Sequence, residues 1–175
     1  MTGADGERGT LRHASRGQLL LQAAGCGAAC GLAGVAVMTT AEKLEQALTG
    51  RPVSYVPARA LLTLLGRRPG EDDRPRGWNH AMHWGTGATL GAVRGVWAVT
   101  GVRGPLAHLW HTVVRLAFDQ TVESATGAGA PPMSWTRQEK VVDVTHKAVY
   151  CLATGLLADR CIDPVLQSAR GTTSH

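Results

Sequence analysis

The sequence predicts an all-α integral membrane bundle of four main helices and one short interfacial helix. Residues 18–41 form an uncharged run of 24 residues, and about 20 apolar residues suffice to cross the hydrocarbon core of a bilayer. Aromatic residues make up only 5% of the 175 residues, whereas Gly alone contributes 22. Small side chains of this kind favour close helix packing, and the scarcity of strand-favouring residues argues against a β-sandwich.

We assign one domain to residues 18–162. Residues 1–17 are polar and Gly-rich, so we expect a disordered tail there, and residues 163–175 are expected to form a second, flexible tail. The first helix is expected to continue through Thr49 and to end at Gly50, because Gly suits the left-handed residue that follows a helix. At 1.5 Å per residue this helix would be about 48 Å long and would exceed the bilayer by several turns.

The remaining elements follow from prolines, glycines and one capping motif. Pro57 suits the start of a short helix that Gly66 ends, and its amphipathic sequence favours a position on the membrane surface. A second main helix is predicted over residues 78–102, and Pro105 begins the third. Thr136, with a Glu three residues later, forms a capping box that begins the fourth. Lys and Arg in the connecting segments differ too little between the two sides to set the topology.

Glycines recur at four-residue spacing in two of these helices. Gly27 and Gly31 form one such pair, and Gly87, Gly91 and Gly95 form two in tandem. Four-residue spacing places the glycines on one helix face, where the missing side chains let two backbones approach each other. We therefore interpret this glycine zipper as a packing surface.

Each main helix also carries polar residues at three- and four-residue spacing, which places them on one face. An ionisable group that faces lipid costs roughly 2.5 kcal/mol or more, so such faces are expected to turn inward. We predict a polar bundle interior containing Glu42, His80, His83, His108, His111, Arg115, Asp119, Glu123, Asp143, His146 and Lys147.

Three hypotheses explain a polar interior. The residues could form a structural network of ion pairs that fixes helix register. They could bind a metal ion or haem, for which the candidate ligands are His80, His83, His108, His111 and His146. They could also pass protons, ions or a small polar solute, since chains of His, Asp and Glu form intramembrane proton relays. A role as an accessory subunit of a membrane complex is a further alternative.

The sequence contains no motif that identifies an enzyme class. A Walker loop, G-x-S-x-G, H-E-x-x-H and C-x-x-C are all absent. The net charge of +5 comes with Arg residues scattered over the connecting segments, a pattern that does not fit nucleic-acid binding. We expect the lipid bilayer as a partner, together with a second copy of the chain or another membrane protein. A mean hydropathy of −0.04 leaves a soluble helical bundle with a structural role as the alternative fold class.

Three short motifs resemble those of a loose group of small bacterial inner-membrane proteins that cross the membrane several times. The motifs are M-T-x-x-E at Met38–Glu42, R-P-x-x-Y-x-P at Arg51–Pro57, and Asn79-His80 at the start of a Gly-rich helix. The resemblance extends over roughly residues 18–160. It implies a multi-pass location in the bacterial inner membrane and carries no activity with it.

Overall fold

The computed structural model describes residues 14–167, which fold into α-helices without any strand. The α-helices are α1 (Arg16–Thr49), α2 (Val56–Leu64), α3 (Arg76–Val99), α4 (Gly104–Thr126) and α5 (Arg137–Cys161), and a 3-10 turn covers Pro132–Ser134. The predicted all-α class, with four long helices and one short one, is confirmed.

Most of the predicted helix boundaries are confirmed. Thr136 caps α5 and forms the expected capping box with Glu139. Gly50 follows α1 in the left-handed conformation, with φ of 70°. Pro57 and Pro105 lie in the first turns of α2 and α4, one position later than predicted. These residues fix where the helices begin and end because each satisfies or removes an unpaired backbone group.

The ordered bundle extends slightly into both predicted tails. Ser15 and Gln18 form a second capping box, so α1 begins at Arg16 rather than after residue 17. At the other end, the Leu166 amide donates to the Val99 carbonyl at 2.9 Å, and the Leu166 side chain packs against a buried apolar cluster. The rest of the predicted tails, residues 1–13 and 168–175, lies outside the described residues.

The glycine faces of α1 and α3 bring the two helices into close contact. A Cβ atom added to Gly27 would lie 2.6 Å from the Cα of Gly95, and one added to Gly91 would lie 2.6 Å from the Cα of Gly31. No side chain fits at such distances, so these positions require Gly. α1 also packs against α5, and α4 packs mainly against α5, while α2 covers the start of α3.

Neighbouring long helices run antiparallel, so the bundle has two distinct ends. We call the end with the segments 50–75 and 127–136 the loop end, because it holds both long connections and α2. The opposite end holds the short connection 100–103 and residues 162–167, and we call it the turn end. Gly101 and Gly104, with φ of 92° and 78°, allow the tight reversal at the turn end.

Charged side chains lie inside this bundle and large apolar ones lie outside. Arg94 and His111 are fully buried. By contrast, Leu106 and Leu109 on the outer face of α4 are 65% and 61% exposed, and Leu156 on α5 is 57% exposed. Two helices, α1 and α5, are long and apolar enough to cross a membrane by length and composition. Most of the other buried residues are apolar, with Val35, Met38 and Val99 among them. Buried charges and exposed large apolar groups are both exceptions in ordinary soluble domains.

Candidate functional site

A cavity of about 1050 Å³, lined by charged as well as apolar side chains, opens at the loop end of the bundle. Its walls come from the second half of α1, the first halves of α3 and α5, and the second half of α4, and the segment 49–57 borders it. The close contact of α1 with the glycine face of α3 ends at Val35 and Gly87. The cavity lies beyond this contact, and its lining on α1 begins at Met38.

Four charged residues on α4 and α5 form a continuous ladder on one wall of the cavity. Arg115 Nε donates to Asp119 Oδ2 at 2.8 Å, and Lys147 Nζ lies 3.5 Å from the same oxygen. Lys147 Nζ also donates to Asp143 Oδ1 at 2.6 Å. The side chains of Arg115 and Lys147 are only 5% and 9% exposed. This ion ladder (Arg115, Asp119, Lys147 and Asp143) contains two cations and two anions, so its formal charge is zero.

Tyr150 and His111 close the bundle beyond the ladder. The Arg115 guanidinium lies over the Tyr150 ring, 4.8 Å from its centroid, and the Tyr150 hydroxyl donates to the Gly87 carbonyl at 2.7 Å. The His111 ring packs against Tyr150, with centroids 5.7 Å apart, and His111 Nε2 donates to the Leu90 carbonyl at 3.2 Å. Both rings are fully buried and lie between the cavity and the turn end.

The other cavity walls carry carboxylates and imidazoles. Thr39 Oγ1 and His83 Nε2 share a hydrogen bond of 3.3 Å between α1 and α3. Gln46 Nε2 donates to Glu42 Oε1 at 3.0 Å, and the same carboxylate oxygen lies 4.0 Å from Arg51 Nη2. These contacts hold the side chains of His83 and Glu42 in place. The cavity is therefore lined by side chains of both charges.

The cavity collects nine of the eleven residues predicted for the polar interior. Those nine are Glu42, His80, His83, Arg115, Asp119, Glu123, Asp143, His146 and Lys147, with His80 on the exposed rim. His111 is buried behind the cavity, and His108 lies further away, at the turn end. The sequence predicted one polar interior for the whole polar face of α4. In the structure, the residues of this face are divided between the cavity and the turn end.

The five candidate metal ligands are distributed over both of these places. Within residues 14–167, no group of three or more His, Cys, Asp or Glu side chains has an arrangement that could hold a metal ion. His111 is bonded to a backbone carbonyl, and His108 packs tightly against Gly155. His80, His83 and His146 line the cavity while His108 and His111 lie outside it, so the five candidate ligands do not meet at one place.

A second charge cluster at the turn end was not predicted. Arg94 Nη2 donates to Asp159 Oδ1 at 2.6 Å, Arg103 Nε lies 3.6 Å from Oδ1, and the Gly104 amide donates to Oδ2 at 2.9 Å. His108 Nε2 lies 3.7 Å from Oδ2. One carboxylate thus joins α3, the short connection, α4 and α5. We call Arg94, Arg103, His108 and Asp159 the turn-end clasp.

A sequence signal for the clasp was present. Arg94 is the one charged residue within the Gly-rich part of the second predicted helix, and Asp159 is an isolated acid near the end of the fourth. Helices two and four run in the same direction in an up-and-down bundle, so their C-terminal residues lie at the same end. Two opposite charges in apolar segments at one end predict an ion pair.

The three short motifs noted in the sequence meet at the cavity. Met38 and Glu42 from the first motif line its wall, all seven residues of the segment 51–57 border it, and Asn79 and His80 complete the opposite side. Asn79 Oδ1 also accepts from the Ala58 amide at 3.3 Å, which ties α2 to α3. Segments far apart in the sequence thus contribute to one place.

Comparison with family models, with curated proteins and with solved structures finds no match for this chain.

Proposed function

We propose that this chain is a multi-pass protein of the bacterial inner membrane that takes up a small polar solute into its cavity and passes it through the bundle. The observation that carries the proposal is a cavity of about 1050 Å³, lined by charged as well as apolar side chains, inside a bundle with large apolar side chains on its outer surface. Ligand pockets commonly have volumes of roughly 300–1,000 Å³. The cavity is therefore large enough for a solute and much larger than a single water molecule needs.

A membrane location is supported by where the charges lie. Burying an ionised side chain is costly, and exposing a continuous apolar surface to water is costly as well. In a bilayer the same arrangement is favourable, since apolar side chains face lipid and charged ones face the bundle interior. Leu106, Leu109 and Val113 on α4 and Leu152 and Leu156 on α5 form such an outer surface.

Arginines beside the buried rings favour a polar solute with acceptor groups. His111 lies one helical turn from Arg115 on α4, and its carbonyl partner Leu90 lies one turn from Arg94 on α3. Both guanidinium groups are paired with carboxylates, so they supply hydrogen-bond donors without a net positive charge. Passage of the solute to the turn end requires the Tyr150 and His111 rings to move.

Cysteine accessibility in sealed vesicles tests the proposal. Cys26, Cys30, Cys151 and Cys161 are first replaced by Ala, and single cysteines are then introduced by Thr39→Cys and Val122→Cys in the cavity wall. A charged, membrane-impermeant thiol reagent is expected to modify both cavity cysteines in vesicles of one orientation only. The side that reacts identifies the side of the membrane to which the loop end belongs.

Matched variants on the outer surface complete this experiment. Leu109→Cys and Leu156→Cys are expected to stay unmodified in either orientation, since lipid excludes the charged reagent, and Met133→Cys at the loop end is the accessible reference. Rapid modification of the two outer cysteines, together with extraction of the protein by alkaline carbonate, would indicate a soluble bundle. Protection of both cavity cysteines from either side would contradict solute uptake.

A further inference from the structure

We propose that the cavity binds a small zwitterion, with an anionic oxygen group at Arg115 and an ammonium group that donates hydrogen bonds at Asp143. The inference rests on the proposed solute uptake and names the chemical class of the solute. It depends on two buried atoms of the ion ladder, one donor and one acceptor, that lack hydrogen-bond partners within the described residues.

Arg115 supplies the donor. Its Nε donates to Asp119 and its guanidinium lies over the Tyr150 ring, so the orientation of the planar group is fixed on two sides. The residue is 96% buried and lines the cavity, yet no acceptor for Nη1 exists among residues 14–167. A buried charged donor without an acceptor is unfavourable. Nη1 itself has almost no accessible surface, so an oxygen that enters the cavity reaches it only once the neighbouring side chains of the wall move aside.

Asp143 supplies the acceptor. Lys147 occupies Oδ1 at 2.6 Å, whereas Oδ2 is buried and has no donor in the part of the chain that the structure describes. Lys147 also holds Asp119, to which Arg115 is bonded. The ladder thus connects the unpaired donor on α4 to the unpaired acceptor on α5, and both residues line the same cavity.

Charge selects a zwitterion among polar solutes. An anion alone would meet Asp119, Asp143 and Glu123, and a cation alone would meet Arg115 and Lys147. The ladder already balances its own charges, so a net-neutral ligand with separated charges leaves that balance unchanged. Both of its hydrogen bonds would involve ionised partners, and such bonds are roughly twice as strong as those between neutral groups. An amino-acid-like solute and the head group of an ethanolamine phospholipid both have this chemistry.

Binding of matched probes to the purified full-length chain tests the inference. In maltoside detergent, we would titrate glycine and its N-trimethyl analogue, and separately glycerophosphoethanolamine and glycerophosphocholine, by calorimetry or saturation-transfer NMR. Each pair keeps the anionic group and the net charge but differs in the N–H donors. We expect at least tenfold weaker binding of the trimethylated member, because it cannot donate to Asp143.

The pattern over the two pairs identifies the source of the ligand. Discrimination within the glycine pair indicates a free amino-acid-like solute, and discrimination within the glycerophosphate pair alone indicates a lipid head group. Absence of discrimination in both pairs overturns the inference. That result would leave solute uptake intact if the cavity cysteines still react, because their reactivity does not depend on the ligand class.

A pair of variants locates the binding. Asp143→Asn keeps an oxygen for Lys147 but removes the negative charge, so the preference for glycine over its trimethyl analogue is expected to disappear. Asp163→Asn makes the same chemical change at an exposed position of the turn end and is expected to bind like the unmodified chain. An unchanged preference in Asp143→Asn would contradict the assignment. If that variant does not fold, the two probe pairs on the unmodified chain decide the question.

Discussion

The loop end and the turn end both hold carboxylates beside buried cations, and the carboxylates of the loop end line the large cavity. At the turn end, Asp159 accepts from Arg94 and from the Gly104 amide and also faces Arg103 and His108. Among the described residues, buried atoms without a partner occur at both ends, Arg94 Nε and His108 Nδ1 in the clasp and Arg115 Nη1 and Asp143 Oδ2 in the ladder. The ladder residues line the cavity of about 1050 Å³, whereas the clasp residues do not. The same residue types thus serve to close one end and to line a cavity at the other.

The polar face of α4 connects these two ends. From His108 to Glu123 the helix rises about 22 Å at 1.5 Å per residue, which is longer than a single binding site. The first residue of this face therefore belongs to the clasp, His111 closes the bundle, and Asp119 and Glu123 line the cavity. On a helix of this length, one polar face can contribute residues to several separate sites.

The largest loss of stability is expected from Asp159→Ala, which removes the carboxylate of the clasp. Asp159 is the only carboxylate within ion-pair distance of Arg94 in residues 14–167, and Arg94 is fully buried. Leaving a buried charge unpaired typically costs about 3–5 kcal/mol. Chemical unfolding in mixed micelles should show this loss, with Asp163→Ala as the exposed control. A loss as small as that of the control would mean that the clasp does not hold the turn end together.

A smaller loss of unfolding free energy is expected from Gly91→Ala, which lies in the close contact between α1 and α3. The added Cβ would lie 2.6 Å from the Cα of Gly31, and backbone atoms cannot move aside as a flexible side chain can. Overpacking of this kind costs roughly 1–3 kcal/mol. Gly85→Ala is the matched control, because a Cβ at Gly85 meets nothing within 4 Å. Equal stabilities of the two variants would contradict the tight α1–α3 contact.

Local patterns in the sequence predicted most of the fold. The Thr136 capping box, the helix end at Gly50 and the glycine faces are decided by backbone geometry within a few residues. The length of α1 beyond a bilayer thickness also followed from the position of Gly50. Such features depend little on the rest of the chain, so the sequence alone identifies them.

The division of the polar residues between two sites depends on long-range geometry. Arg94 and Asp159 are 65 positions apart and show no joint periodicity, so the clasp emerges only once helix directions are compared. The cavity in turn lies beyond the end of the glycine contact between α1 and α3, at Val35 and Gly87. Spacing on a single helix gives a face, and only packing shows which residues of that face share a site.

Asp143→Ala at the loop end is expected to lower the free energy of unfolding by less than Asp159→Ala does. Lys147 keeps Asp119 at 3.5 Å after the substitution, and the open cavity admits water to the freed ammonium group. A loss of about 1.5–3 kcal/mol corresponds to one hydrogen bond to a charged group. The same unfolding measurement on both variants tests the contrast between the ends. A loss at the loop end that equals the one at the turn end would indicate that the cavity is not open to water.

The smallest effect is expected from Tyr150→Phe, which keeps the ring that separates the cavity from the turn end. The variant loses the hydrogen bond to the Gly87 carbonyl, and hydrogen bonds between helices in a membrane average about 0.6 kcal/mol. Tyr150→Ala removes the ring as well. With Cys26, Cys30 and Cys161 replaced by Ala, the buried Cys151 next to it reports on this opening. A charged thiol reagent should modify Cys151 much faster in Tyr150→Ala than in Tyr150→Phe, and equal rates would show that Tyr150 does not close the cavity.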